Sequence, residues 1–415
     1  MVYYKHRITI FSYKEVMIKK IKNQFPLFAK HPGLIYLDNA ATTHKPQVVI
    51  DAMVGYYTDY NANVYRGIYS SGEEATLQYE GARATVAQFL NAETDEIVFV
   101  KNATEGINLV AFSWGLEHIG AGDQIILTEY EHHANILPWQ RLAQTVGATL
   151  AYIPVLSDGT LDYQACESMI NSKTKLIACT AVSNVTGAYT DIKKIVDAAQ
   201  KVGARLLLDA TQLVAHERVD VKRLDVDFLV FSAHKLYGPT GIGALYIKKP
   251  LADQMVPYQL GGAMVFDVDW HHAQYAKAPY KFEAGTQPIA QAIGLSAAIR
   301  WIESQGIDAI AHHEHALMQL LLDGLMTMPH IRIIGPIEQL QTKGHLVSFV
   351  VKGMHAHDVA AYLNDAQIAV RAGHHCAQPF AKKLGIDASI RVSVGCYNTV
   401  EDIQFLLDKL RSLYL

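Results

Sequence analysis

Short apolar runs alternate with longer amphipathic stretches along most of this chain. The runs EIVFV (Glu96 to Val100), QIILTE, ATLAYIPV, TKLIACTAVSN, ARLLLDA and VDFLVFSAHK have the length and apolar continuity that predict buried strands. Between them, Leu77 to Leu90, Gly106 to His118, Trp139 to Val146, Asp162 to Ile170 and Ile192 to Val202 carry helical spacing. This order predicts an α/β fold, a mostly parallel sheet covered by helices on both faces. Its ligand crevice should lie beyond the carboxyl ends of the strands, where several polar motifs fall. After about Ile302 the pattern changes: an amphipathic helix containing His312 to Met326, then IRIIGP, HLVSFVVKG, the helix DVAAYLNDA, a loop over Ala372 to Pro379, IRVSVGCYN and a final helix. That reads as a small α+β domain. The expected division is an N-terminal extension and joining helix over 1–33, a large domain over 34–300 and a small domain over 301–415, with a continuous helix from Ala290 able to join the last two.

Composition narrows the function classes. The chain has 415 residues, half of them hydrophobic, which argues for a sizeable core and against disorder. A net charge of -4 gives no general attraction to nucleic acid. Four cysteines stand apart without a CxxC spacing, which favours free thiols in a reducing compartment. No apolar run is long enough for a membrane span, so a cytoplasmic protein is expected. Met1 to Lys30 is basic, with Glu15 as its one acid, and mimics a transit segment; it reads instead as an extension leading into a helix near Ser12, with Met17 as an alternative start.

One group of polar residues suits an aldehyde cofactor. Lys235 in FSAHKLYGPTGIG offers an amine, flanked by Ser232 and His234, although a lone lysine in such a loop is ordinarily solvated. Asp209 ends RLLLD, which aims a carboxylate at the crevice, where it can hold a pyridine nitrogen protonated, cap the strand end or bind magnesium. Gln212 follows three residues on. Thr104 in NATEGINLV follows a strand where a helix opens, as a phosphate ligand or merely an N-cap. His132 in TEYEHHANILPW can stack on a ring, with His133 behind it, or the pair can cap a turn. Asn184 in SNVTG can approach a substrate carboxylate or close an Asx turn. Neither a Walker loop nor a GxGxxG after the first strand is present, which lowers the dinucleotide reading.

A second group suits a thiol nucleophile. Cys376 in RAGHHCAQP lies in a polar loop, whereas Cys166 and Cys179 have apolar surroundings and Cys396 follows a strand-like run. His374 and His375 can tune the thiol or serve the turn. Arg391 can clamp a carboxylate with two prongs or form a domain salt bridge, and Arg371 can add charge from the other side. The HHEH run at His312 to His315 is explained more economically as helical surface than as a metal site.

With IYLDNAATT, NVYRG, NATEGIN, EHHANILPWQ, SNVTG, LLLDATQ, SAHKLYGPTGIG, FEAGTQP, RAGHHCAQP and RVSVGCYNT in hand, the chain from about Leu34 to its C terminus resembles the class V aminotransferases among fold-type I pyridoxal-phosphate enzymes, and specifically the group II, SufS-type cysteine desulfurases. The resemblance implies a large domain with a mostly parallel seven-stranded sheet plus the small domain. It makes Lys235 the Schiff-base lysine, Asp209 the partner of the pyridine nitrogen, Gln212 the phenolic-oxygen contact and His132 the stacked imidazole. Thr104, Ser232 and His234 become phosphate ligands, and Thr286 is lent to the neighbouring subunit of a homodimer. Asn184 and Arg391 position the substrate, L-cysteine, with Arg371 read from its place near the thiol loop as a further substrate-binding or loop-positioning residue, and Cys376 carries the persulfide. A SufU-like or SufE-like acceptor for iron–sulfur cluster assembly is implied, with His357 as a contact to SufU-type zinc. Selenocysteine lyase activity on the same site, or another pyridoxal-phosphate lyase or aminotransferase reaction, is the alternative, and an inactive sulfur-carrier scaffold a more distant one. Tyr65 and Tyr69 stand where many relatives have histidines, and Gln287 where proline is common, which puts any histidine role there in doubt.

Overall fold

A computed structural model describes residues 20–414; the helix expected near Ser12 and the alternative start at Met17 lie outside the described residues. In chain order the strands are β1 (Ile35–Tyr36), β2 (Ile97–Val100), β3 (Gln124–Thr128), β4 (Thr149–Ile153), β5 (Thr174–Thr180), β6 (Arg205–Asp209), β7 (Phe228–Ser232), β8 (Gly243–Ile247), β9 (Val265–Val268), β10 (Ala273–Tyr275), β11 (Ile331–Ile334), β12 (Leu346–Val351), β13 (Ile368–Ala369), β14 (Arg371–Gly373) and β15 (Ser389–Ser393).

Seven of them form one sheet in the order β2-β8-β7-β6-β5-β3-β4. β8 runs antiparallel to both of its neighbours, and the pairs from β7 to β4 are parallel. This is the mostly parallel seven-stranded sheet that the motifs implied. Alternation along each strand feeds two apolar layers: Phe99, Ile177, Leu208 and Phe231 pack on one face, and Val98, Leu176, Leu207 and Val230 on the other. The helix expected from Gly106 begins earlier, at Ala103, because Asn102 caps it by accepting the Glu105 N–H at 3.0 Å. Thr104 is therefore inside the first turn and is not the cap.

The smaller sheet is antiparallel, in the order β11-β12-β15-β14. Helices Ile307–Met326 and Val400–Arg411 cover it with Leu317, Leu321, Ile403 and Leu406. The continuous helix from Ala290 is not formed. Ile289–Gln305 and Ile307–Met326 are separate helices, broken at Gly306, whose φ of 83° lies outside the helical region. The chain also crosses to this smaller unit early. β1 pairs in parallel with β13, Leu37 sits in the smaller core, and the Ser393 N–H donates to the Leu37 carbonyl at 2.8 Å. β9 and β10 form a projecting hairpin with Phe266 and Trp270 exposed. No helix among the described residues is long and apolar enough to cross a membrane.

Candidate active site

Strands β2, β3, β5, β6 and β7 point the same way, so their carboxyl ends form one rim. The turns leaving that rim carry Thr104, His132, Asn184, Asp209 with Gln212, and Ser232 with His234 and Lys235. Together with Arg371, Cys376 and Arg391 of the smaller unit, they line a single cavity of about 340 Å³. Every candidate site residue falls there except Thr286. That residue is exposed and lines a different cavity with Tyr65, Arg66 and Gln287.

Lys235 ends the short turn after β7. Burial, aided by the Arg391 charge, pushes its amine down to about 8. Asp209 is buried, and one of its carboxylate oxygens accepts the Thr211 N–H at 3.0 Å. Gln212 donates to the Ala40 carbonyl at 2.8 Å and so ties the N-terminal segment to the rim. His132 does cap a turn, since its Nδ1 accepts the Ala134 N–H at 3.1 Å, yet it also lines the cavity. Burial and Lys235 hold that imidazole down to about 4, so it stays neutral near pH 7. Beside it, the Ser232 hydroxyl accepts the Ala103 N–H at 2.9 Å, which places a hydroxyl at the first turn of the helix carrying Thr104. The His234 carbonyl takes the Thr43 N–H and the Lys45 ammonium, both at 3.0 Å.

Accessibility separates the thiols. Cys376 is exposed, whereas Cys166, Cys179 and Cys396 are buried, and burial pushes the Cys166 thiol up to about 11 and holds the Cys396 thiol well above its ordinary value. Cys376 sits in a tight turn in which the His374 carbonyl accepts the Ala377 N–H at 3.0 Å. Both central residues are left-handed without being glycine: His375 has φ 54° and Cys376 has φ 57°. Each such residue costs on the order of 1–3 kcal/mol and persists where its surroundings hold it. Asn184 donates to the His375 carbonyl at 2.6 Å, and His375 Nε2 meets the Ser389 hydroxyl at 2.9 Å. Asn184 therefore forms no Asx turn; the Ser183 hydroxyl accepts the Val185 and Thr186 N–H groups instead.

Arg391 is buried and does two things at once. It donates to the Asn184 carbonyl at 2.8 Å and to the Asp38 carboxylate at 3.3 Å. Arg371 holds the same carboxylate at 3.0 and 2.6 Å. Asp38 was not among the expected site residues. Its signal was an acid closing a short apolar run, IYLD, as Asp209 closes RLLLD.

The donor set fits pyridoxal phosphate and an amino-acid substrate. The cavity offers an amine of lowered basicity, a buried carboxylate, a neutral imidazole face, a helix N-terminus flanked by hydroxyls and a buried guanidinium. Three buried atoms on its lining residues, Thr211 Oγ1, His375 Nδ1 and Arg391 Nε, have no hydrogen-bond partner among the described residues. Buried polar atoms in native structures nearly always have a partner in protein or ordered water. In the HHEH run, His313 and His315 bond the Asn398 and Gln341 carbonyls, and no group of three metal-ligating side chains occurs among the described residues.

The Aminotransferase class-V family model matches residues 35–406. The chain is 45% identical over 399 residues to a probable cysteine desulfurase of Streptomyces coelicolor, covering 94% of this chain and 95% of that one. Its fold is similar to an apo cysteine desulfurase from Thermococcus onnurineus NA1, with a TM-score of 0.91 at 41% identity over 95% of this chain and 97% of the other. It is also similar to the cysteine desulfurase CsdA (S-sulfonic acid) from Escherichia coli, with a TM-score of 0.89 at 36% identity over 96% and 98%.

Proposed function

Because this chain belongs to the aminotransferase class-V family and, within it, to the cysteine desulfurases, we propose that it converts L-cysteine to L-alanine and keeps the sulfur as a persulfide on Cys376. The observation that carries this reading is the meeting of Lys235, Asp209, Arg391 and Cys376 in one cavity, although they come from two units of the fold.

Lys235 would hold pyridoxal phosphate through its aldehyde, with Asp209 at the pyridine nitrogen, His132 against the ring and Gln212 at the phenolic oxygen. Thr104, Ser232 and His234 would take the phosphate. When bound, the cofactor supplies an electron sink for the pair left behind as the Cα proton departs. Asn184 and Arg391 take the substrate carboxylate, Arg391 through its guanidinium, with Arg371 adding charge beside it. The Lys235 amine, held near 8, is suited to receiving the Cα proton and returning protons to carbon. The Cys376 thiolate then attacks the substrate sulfur. A sulfur–sulfur bond forms as the carbon–sulfur bond breaks, the bonding pair stays with carbon, and that carbon takes a proton to become the methyl group of alanine. The exposed seat of Cys376 supports hand-off of the terminal sulfur to a separate protein. A SufU-like or SufE-like acceptor serving iron–sulfur assembly is the recipient we propose. A homodimer is the assembly in which exposed Thr286 would reach the phosphate of the second copy.

The test incubates the protein with L-cysteine and measures alanine and trapped persulfide beside Lys235→Ala and Cys376→Ala. Cofactor absorbance should be lost from the first variant, and retained in the second without persulfide or turnover. Alanine formation at the parent rate by Cys376→Ala would move the protein to another lyase reaction.

A further inference from the structure

The strained turn bearing Cys376 belongs to the smaller unit, yet a single residue of the larger unit ties it down twice just after the thiol, on either side of Ala377. The His133 N–H donates to the Cys376 carbonyl at 2.7 Å, and the His133 Nε2 accepts the Gln378 N–H at 3.0 Å. Gln378 opens the helix Gln378–Lys383, and its N–H is one of the helix-start donors that the helix itself cannot satisfy. His133 thus caps that helix from another unit of the fold, and it adjoins His132, which lines the cavity.

We propose that His133 is a positioning residue for sulfur transfer: it latches the Cys376 turn to the His132 segment and so sets where the thiol stands relative to the Lys235 cavity. This rests on the reading of Cys376 as the sulfur-accepting thiol. The turn has two consecutive left-handed, non-glycine residues and will relax toward ordinary backbone if released. Asn184 and Ser389 hold the His375 half of the turn, whereas the two His133 bonds hold its exit, one at the Cys376 carbonyl and one at the Gln378 N–H.

The latch requires a lone pair on Nε2, and hence a neutral imidazole carrying its proton on Nδ1. Facing it are His132 on its own segment, His374 from the turn, and Lys382 and Asp387 around the same groove. Burial and His374 hold its proton affinity below the ordinary histidine value, which keeps the latch set near neutrality and releases it in acid.

The test uses the holoenzyme with His133→Leu, which removes the acceptor, and His133→Gln, whose amide oxygen supplies one that does not titrate. For His133→Leu, kcat for alanine formation should fall about tenfold with KM within about twofold, as expected when a reacting group is misplaced while the substrate site is kept. Its Cys376 should also react several-fold faster with iodoacetamide in the absence of cysteine. His133→Gln should restore kcat to within about threefold of the parent. Below the ordinary histidine range, labelling of the parent Cys376, corrected for thiolate fraction, should rise above its neutral value, and in His133→Gln it should not. Parent-like kcat and labelling in a folded His133→Leu would overturn the proposal. Should that variant not fold, an acid-side rise in His133→Gln equal to the parent's overturns it equally. Cys376→Ser separates the two readings: parent-rate alanine formation there removes the sulfur-transfer reading, while a dead Cys376→Ser beside an unaffected His133→Leu removes the latch alone.

Discussion

Replacing Arg391 with lysine keeps one positive charge in the cavity and removes the fork. The guanidinium now spends one arm on the Asn184 carbonyl at 2.8 Å and the other on Asp38 at 3.3 Å, with its Nε buried and unpartnered. An ammonium is a single point. It can meet Asn184, Asp38 or an incoming carboxylate, but it cannot span all three. Under the proposed clamp, the interaction lost with the substrate is a charge-assisted hydrogen bond, worth about 1.5–3 kcal/mol. At about 1.4 kcal/mol per tenfold, Arg391→Lys should raise KM for L-cysteine roughly 10- to 150-fold. kcat should change much less, because the thiol and Lys235 are untouched. The fold should hold, since Asp38 keeps Arg371 at 3.0 and 2.6 Å and the buried cation is retained. The assay is initial-rate alanine formation over a range of cysteine concentrations, beside a thermal-denaturation check. A KM within about twofold of the parent, in a folded protein, would refute the carboxylate clamp.

Two further outcomes follow from the surroundings of single residues. Burial lowers the Lys235 amine from 10.5 to about 8, so the unprotonated form that condenses with an aldehyde should grow about tenfold between pH 7 and pH 9 and then level off. Uptake of pyridoxal phosphate by the apoprotein, followed by absorbance, should trace that curve; a rate still climbing steeply beyond pH 9 would mean an ordinary exposed lysine. Gly187 has φ 69°, and a Cβ there would meet the Leu346 carbonyl oxygen at 2.7 Å, so Gly187→Ala should cost about 1–3 kcal/mol and lower the urea midpoint. An unchanged midpoint would show that the Asn184 loop yields more easily than its contacts indicate.

The rim of the large sheet was legible because buried parallel strands write themselves as apolar runs, and the first polar residue after each run must emerge at the crevice. Asp209, Ser232 and Thr180 follow that rule. β8 was harder to see: GALYI begins with a glycine directly after GI, so turn-like residues run straight into the strand. The hairpin of β9 and β10 lacks the signal altogether, because its exposed residues alternate against no core. Helix limits shifted where side chains took over from periodicity, as Asn102 did in front of Ala103. Within the site, residue types were visible but their couplings were not. Nothing local in RAGHHCAQP tells of two successive left-handed residues, since neither is glycine. Nor does IYLD announce that its acid will serve two arginines from the far end of the chain.

That last pairing bears on how the protein is made. Asp38 leaves the ribosome 333 residues ahead of Arg371 and 353 ahead of Arg391, which at about 5–20 residues per second is a delay of roughly 20 to 70 s. In the last part of that interval, once β8 has been made, β1 still has no β13 to lie against while the β2 to β8 sheet and its lysine are complete. A nascent chain at that stage holds Lys235 and the rim of the large sheet without Arg371, Cys376 or Arg391, and the cavity they share closes only once the smaller unit has been made.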